Sequence, residues 1–358
     1  MYDQILSNTI MAITNTSLDS TALTQASLPV RWGGIGIRST CTLAPSAFLS
    51  SLRSSEVQIS LLLPHRPSPY HDSLAEEAIS NWRNLGATSL PSGADALKQC
   101  CWDDEICSSI TTSLASTASA NPVTKARLLA CRSQGSGSWL HALPSANLGL
   151  RLNNDETRIA VGLRLGVPLV LEHTCVCGSK VESDGHHGLA CRKSSGRHLR
   201  HSLANHVIAR ALRSAKTPTI LEPTGMLRGD GKRPDGVTMI PWSKGKALVW
   251  DFTCPDTLAP SHVRQTSLAA GSAAIAAESK KRTKYAELSV ANSFVPFAIE
   301  TLGVWGNDAY ALSSEIGSRI AAITGEPRST AFFRQRLDIA VQRGNAAAIL
   351  GTLPSNCL

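Results

Sequence analysis

The chain has no run of 18 or more apolar residues, so a membrane-crossing helix is not expected. Met1 to Ser20 lacks a basic stretch followed by an apolar core, and no secretory leader is expected there. The ten cysteines lack the density of a disulfide scaffold: Cys41, Cys100, Cys101, Cys107, Cys131, Cys254 and Cys357 are scattered, and only three cluster with a histidine. That usage fits a reducing compartment. No internal repeat occurs. With 42% hydrophobic and 17% charged residues, the composition also lacks the signature of disorder. A length of 358 residues allows two or three domains.

Acidic charge falls short of basic charge in one half only. Residues 1–170 hold twelve Lys/Arg and twelve Asp/Glu, whereas 171–358 hold twenty-three and fifteen and supply the whole net charge of +8. Within 192–246 the ratio is twelve basic to three acidic. A basic half of this kind suits contact with phosphate backbones.

Hydrophobic periodicity predicts a mainly helical first half, with helices over Ala44–Ser54, Ser73–Leu85, Ala94–Ser116, Pro122–Ala130 and Asp155–Leu165. Pro64 to Pro69 reads as a polar connector. From residue 199 the pattern becomes mixed. Leu199–Ala215 has apolar residues at 203, 207, 208, 211 and 212, a helical stripe. Thr219–Leu221, Val237–Ile240 and Leu248–Cys254 read as strands, the last two separated by residues 241–245. A long helix is expected from Ser261 to about Val290, then a strand at Phe294–Ile299 and a helix at Asp308–Thr324. The expected fold class is therefore α/β (α+β). The order α-β-β-β-α-β matches the common core of the PD-(D/E)XK restriction-endonuclease-like superfamily.

Within that pattern two carboxylates stand sixteen positions apart. Asp235 follows Arg233-Pro234, where proline fixes the backbone, and precedes Gly236, which allows a turn. Asp251 ends the apolar run Ala247-Leu248-Val249-Trp250. Oxygen ligands of this kind hold a hard cation such as Mg²⁺ or Mn²⁺, which can polarise a phosphodiester and activate water. The superfamily places a lysine two residues after the second acid, but this chain has Thr253. Threonine carries no positive charge. Glu278, Lys281 and Tyr285 share one helical face at i, i+3, i+7. Lys281 is the first choice for a migrated lysine and Lys284 the second. Glu278 is expected to support the site or add a ligand, and Glu222 is a further acid nearby.

Just upstream, Cys175, Cys177, His187 and Cys191 form C-x-C-x₉-H-x₃-C. Four N/S donors within seventeen residues suit tetrahedral Zn²⁺, with His186 as an adjacent alternative and His173 a more distant one. So small a knuckle would need the metal to order it. Arg192, Lys193, Arg197 and Arg200 follow directly, aimed at phosphates in this reading, as are Lys232 and Arg233. His201 and Asn205, four apart on one helix, are candidate polar contacts to DNA.

The chain resembles the C-terminal part of a non-LTR retrotransposon polyprotein of the kind with a restriction-like endonuclease. The knuckle, the Asp235/Asp251 pair and the K-x-x-K-Y motif of Lys281, Lys284 and Tyr285 carry the likeness. Leu28 to Ser50 resembles the stretch after the polymerase palm and thumb, and Ser138 to Pro144 resembles the family's helical linker. The resemblance implies a thumb-adjacent remnant at 1–60, a helical linker at 61–170, the knuckle at 171–197, the nuclease at 198–325 and a helical tail at 326–358. It implies a strand-nicking activity, a double-stranded DNA partner with RNA as an alternative, and a nuclear location. The aromatic-x-Asp-Asp turn of a reverse transcriptase is missing: the only Asp-Asp, Asp103-Asp104, follows Cys101-Trp102. A truncated or domesticated element is the expectation, with a catalytically inactive nucleic-acid-binding remnant as the alternative.

Overall fold

The computed structural model describes residues 2–63, 65, 73–226 and 233–353. It is a mixed α/β protein, mainly helical with a small mixed sheet, and it divides into two compact units. The expected connector at Pro64–Pro69 and Lys232 lie largely or wholly outside the described residues.

The first unit spans residues 1–13 and 17–120. It holds α1 (Tyr2–Thr14), α2 (Ser20–Ser27), α3 (Thr40–Leu62), α4 (Ser73–Asn84) and α5 (Gln99–Thr117). Its core is set by Leu49, Trp82, Trp102 and Ile106. The two indoles meet edge to face with centroids 5.3 Å apart. Their N–H groups donate to Trp102 O and Ala96 O at 3.0 and 2.8 Å, so neither buried donor is orphaned. Gly33 takes φ 91, and Gly34 lies so close to the Leu28 carbonyl that a Cβ would stand 2.0 Å from it. The Asp-Asp pair is engaged in packing: Asp103 ion-pairs with Arg38, while Asp104 accepts from the Trp32 indole at 2.7 Å and pairs with Arg31.

The second unit spans residues 14–16 and 121–358. Its helices are α6 (Pro122–Arg132), α7 (Asn154–Leu165), α8 (His186–Ala190), α9 (Ser195–Ser214), α10 (Val263–Thr266), α11 (Ser272–Lys284), α12 (Leu288–Ala291), α13 (Asn307–Thr324) and α14 (Ser329–Leu350). A small hairpin joins β1 (His173–Thr174) to β2 (Lys180–Val181). The main sheet has the order β3-β4-β5-β6, from β3 (Thr219–Leu221), β4 (Gly236–Ser243), β5 (Lys246–Thr253) and β6 (Ser293–Ala298). β3, β4 and β5 are antiparallel neighbours, and β6 runs parallel to β5. Side chains alternate across β5. Leu248, Trp250 and Phe252 enter the main core with Phe297, Ile208, Leu212, Ile316, Leu337 and Val341, which leaves Asp251 for the opposite face.

Two expectations need correction. Residues 241–245 are not a loop: β4 runs through Ser243, with register shifts around Pro241, and the turn is Lys244–Gly245 alone. Both turn residues have positive φ, 50 and 75, the conformation a two-residue hairpin demands. The long helix from Ser261 to Val290 is broken into α10, α11 and α12, because Gly271 adopts φ 82 and redirects the chain before α11.

α14 is the most deeply buried long helix of this unit and packs along α9. The approach is close enough that a Cβ at Gly344 would lie 2.2 Å from Arg200 Cβ, and one at Gly196 would lie 2.2 Å from Ala348 N.

Candidate functional site

The knuckle forms on a short scaffold. Gly178, at φ 90, turns the chain and donates its N–H to Cys175 O at 2.7 Å, while Cys175 N donates to Ser179 O at 2.9 Å. His187 and Cys191 lie one helical turn apart on α8 and at its end, so both point one way. The ligand atoms of Cys175, Cys177, His187 and Cys191 all lie within 4.8 Å of one another. Cys175 Sγ to Cys191 Sγ is 3.9 Å, and Cys177 Sγ to His187 Nε2 is 3.2 Å. A tetrahedral zinc ion with bonds of about 2.0–2.3 Å needs ligand atoms roughly 3.5–3.8 Å apart. The donor set thus fits a metal such as zinc. Hydrogen bonds from Ser179 lower the Cys177 pKa to about 6, toward the thiolate a metal requires, while burial raises that of Cys175. His186 turns instead to Asp184, at 3.1 Å, and His173 to Thr352 and the Leu171 carbonyl. His187 is therefore the histidine of the set. Val181, fully buried, packs beneath two of the cysteines.

The acid pair is assembled from three elements. Gly236 pairs with Trp250, so the next residues outward, Asp235 and Asp251, are neighbours across the strands. Asp235 N donates to Trp250 O at 3.0 Å, and Asp235 Oδ2 accepts from Phe252 N at 2.6 Å, so its side chain continues the ladder beyond β4. Asp251 is buried and ion-paired with Lys281 of α11. Asp235 Oδ1 and Asp251 Oδ2 meet no donor among the described residues. Carboxylate oxygens are the donor type that hard cations take.

His201, expected as a DNA contact, stands with its Nε2 3.0 Å from Asp235 Oδ2. A relay leads to it: the Trp250 indole donates to Asn205 Oδ1 at 3.0 Å, and the Asn205 amide lies 3.3 Å from His201 Nδ1. With that amide as donor, Nε2 carries the proton toward Asp235. The hydrogen bond to Asp235 raises the pKa of His201 against the burial that lowers it. The i, i+4 spacing of His201 and Asn205 was visible in the sequence; their partners, Asp235 before β4 and Trp250 on β5, were not.

The other expected residues have separate roles. Lys284 donates to the Tyr285 hydroxyl at 2.8 Å, and that hydroxyl donates to Arg233 O at 2.9 Å. This fully buried tyrosine, tilted on Phe294 at 5.0 Å, fixes the chain leading into Asp235. Glu278 is buried and accepts from Asp308 N and Ala309 N at 3.2 and 3.1 Å, capping α13. Burial raises its pKa. Glu222, exposed at φ 49, pairs with Arg233.

A cleft of about 410 Å³ opens beside this centre, lined by Arg192, Arg197, His198, His201, Thr253 and Lys281 among others. Its rim is cationic and Lys193 is exposed nearby. Arg200 also lines it but is buried, donating to Asn345 Oδ1 at 2.7 Å, which ties α9 to α14. Arg192 and Arg197 are exposed and able to meet a phosphate; Arg200 is a packing residue. No known protein family matches the chain, and no curated protein does either.

Proposed function

We propose that the second unit is a metal-dependent DNA endonuclease module that nicks one strand of a duplex. In this reading it is a PD-(D/E)XK-like core behind a zinc knuckle, descended from the C-terminal part of a non-LTR retrotransposon polyprotein and lacking a polymerase centre. The observation that carries the reading is the gathering of Asp235, just before β4, Asp251 of β5 and Lys281 of α11 at the edge of a cationic cleft.

Asp235 and Asp251 would hold Mg²⁺ or Mn²⁺, which supplies a polarised phosphoryl oxygen and an activated water. The chain's own residues do the rest. Lys281, held beside Asp251, places positive charge where Thr253 leaves none. His201 fixes the orientation of Asp235, and Tyr285 with Lys284 fixes the backbone before it. Arg192 and Arg197 grip the phosphates on either side of the scissile bond, with Lys193 and Arg233 at the rim. Duplex DNA is the partner and the nucleus the place of action.

The test is plasmid nicking by zinc-loaded protein with Mg²⁺. Wild type converts supercoiled to open-circular DNA, and Asp251→Ala loses at least about 10³-fold in rate, as expected when transition-state charge loses its support. Absence of nicking by folded, zinc-loaded wild type, with DNA binding intact, selects the second reading: a nucleic-acid-binding remnant. That reading draws on Lys281 already occupying Asp251 and on Thr253 at the usual lysine position.

A further inference from the structure

A second cleft, of about 430 Å³, opens beside the seam where α9 packs on α14. It belongs to neither the knuckle nor the acid centre, and none of its lining residues is shared with the cleft beside the acid pair. Leu203 and Val207, which the sequence assigns to the buried stripe of α9, are only half-buried and form its floor with Ile320 and Phe333. One face of each helix supplies it. On α9 residues 203, 207 and 210 follow the i, i+4, i+7 rhythm, and on α14 so do 329, 333 and 336.

The charges in this cleft are all of one sign. Arg210 and Arg336 line it, His206 is beside them, and no carboxylate lines it at all. A third arginine, Arg343, is committed elsewhere: it donates to the carbonyls of Gly149 and Arg151 at 3.0 and 2.7 Å and stands 3.7 Å from Glu156. Arg210 and Arg336, by contrast, meet no carboxylate among the described residues, and partial burial first, and Arg210 second, lower the pKa of Arg336. Two like charges brought together over an apolar floor, with no counter-ion, disfavour the empty state. An anion between them removes that cost. The guanidinium fork matches phosphate oxygens in pairs. The volume is that of a small-ligand pocket, and the floor is apolar enough to seat a planar body.

We propose that this cleft binds a nucleotide, its phosphate between Arg210 and Arg336 and its base over Leu203, Val207, Ile320 and Phe333. The site is independent of the cutting centre and stands whether or not that centre cuts. The same chemistry could be presented by a free nucleotide or by the phosphorylated end of a single strand.

Calorimetric titration of the full, zinc-loaded chain with a nucleoside 5′-monophosphate tests this. Saturable one-to-one binding is expected, and inorganic phosphate, which leaves the floor unused, should bind at least tenfold more weakly. The double variant Arg210→Gln/Arg336→Gln should lose at least tenfold in nucleotide affinity with its zinc content unchanged. Arg336→Glu is the companion variant, since it gives Arg210 a partner inside the cleft; it should fold with an equal or higher melting temperature and lose binding. No saturable heat with the nucleotide, equal affinity for nucleotide and phosphate, or undiminished affinity in Arg336→Glu would each overturn the proposal. Displacement of the bound monophosphate by a 5′-phosphorylated single-stranded oligonucleotide assigns the site to a strand end. Binding that such a strand leaves untouched assigns it to the free nucleotide.

Discussion

The knuckle and the acid pair both gather side chains of metal-ligand type, yet they are built in opposite ways. The knuckle draws four donors from one stretch of chain, and three of the four are thiols with little other hydrogen bonding to do. The acid pair draws Asp235, Asp251 and Lys281 from three elements, and every one of them has a protein partner. The first arrangement has few internal contacts to hold it and, in the proposed reading, depends on its ion. The second is held by the sheet and by α11 and can keep its shape alone. In the proposed reading, metal is structural mortar in one and a removable reagent in the other.

That contrast can be broken experimentally. Chelation of zinc, or Cys191→Ser, should unfold the knuckle and lower the melting temperature sharply, because the binding energy of a structural zinc, about 10–16 kcal/mol in small peptides, is folding energy. Inductively coupled plasma mass spectrometry should find about one zinc per chain in wild type; a stable, metal-free wild type would refute the mortar role. Depletion of Mg²⁺ should leave the melting temperature unchanged.

Lys281→Met should act on both stability and chemistry. It strips the partner from buried Asp251 and should cost about 3–5 kcal/mol by chemical denaturation, along with nicking activity. A variant that unfolds like wild type would show that the pair is not formed in solution.

A finer comparison lies within the basic series. Arg200→Ala should destabilise by about 1.5–3 kcal/mol through its lost hydrogen bond to Asn345. Its salt dependence of DNA binding should stay intact. Arg192→Gln and Arg197→Gln should leave stability alone and each reduce the slope of log K against log salt by about 0.9. The reverse pattern would exchange their roles.

The smallest effect concerns Asp338, fully buried on α14, whose burial raises its pKa well above the ordinary carboxylate value. A raised folded-state pKa means its contribution is most favourable below about pH 3.9, the unfolded value, and is lost as pH climbs through the folded one. Asp338→Asn should therefore raise the melting temperature at pH 7 by roughly 2–4 °C, and the gain should vanish in acid. Melting curves from pH 4 to pH 8 would check the sign.

Much of this architecture is written locally. The knuckle spacing and the α-β-β-β-α-β succession could be read because each depends on neighbours in sequence, whereas Gly236, expected at a turn, opens β4, where the Trp250 ring leaves no room for a Cβ. What could not be read depends on distant partners. Glu278 shares a helical face with Lys281, yet its carboxylate caps α13 because Gly306 leaves the space for it. Arg200 belongs by sequence to a basic run, but Asn345 lies 145 positions away. Of the choices left open, Asp184 draws His186 away from the Cys/His group, and Tyr285 draws Lys284 aside while Lys281 pairs with Asp251. Leu203 and Val207 looked like core because periodicity marks a face without saying what covers it.

The glycine-lined seam between α9 and α14 has a consequence for how the protein is born. Synthesis runs from the N-terminus, so α14 is the last long helix of this unit to leave the ribosome. Until it does, Arg200 has no Asn345, and Gly188 and Gly196 press against nothing. The nascent chain can order its knuckle early, but the unit closes only once α14 has emerged, so a product stalled before that point would leave α9 uncovered.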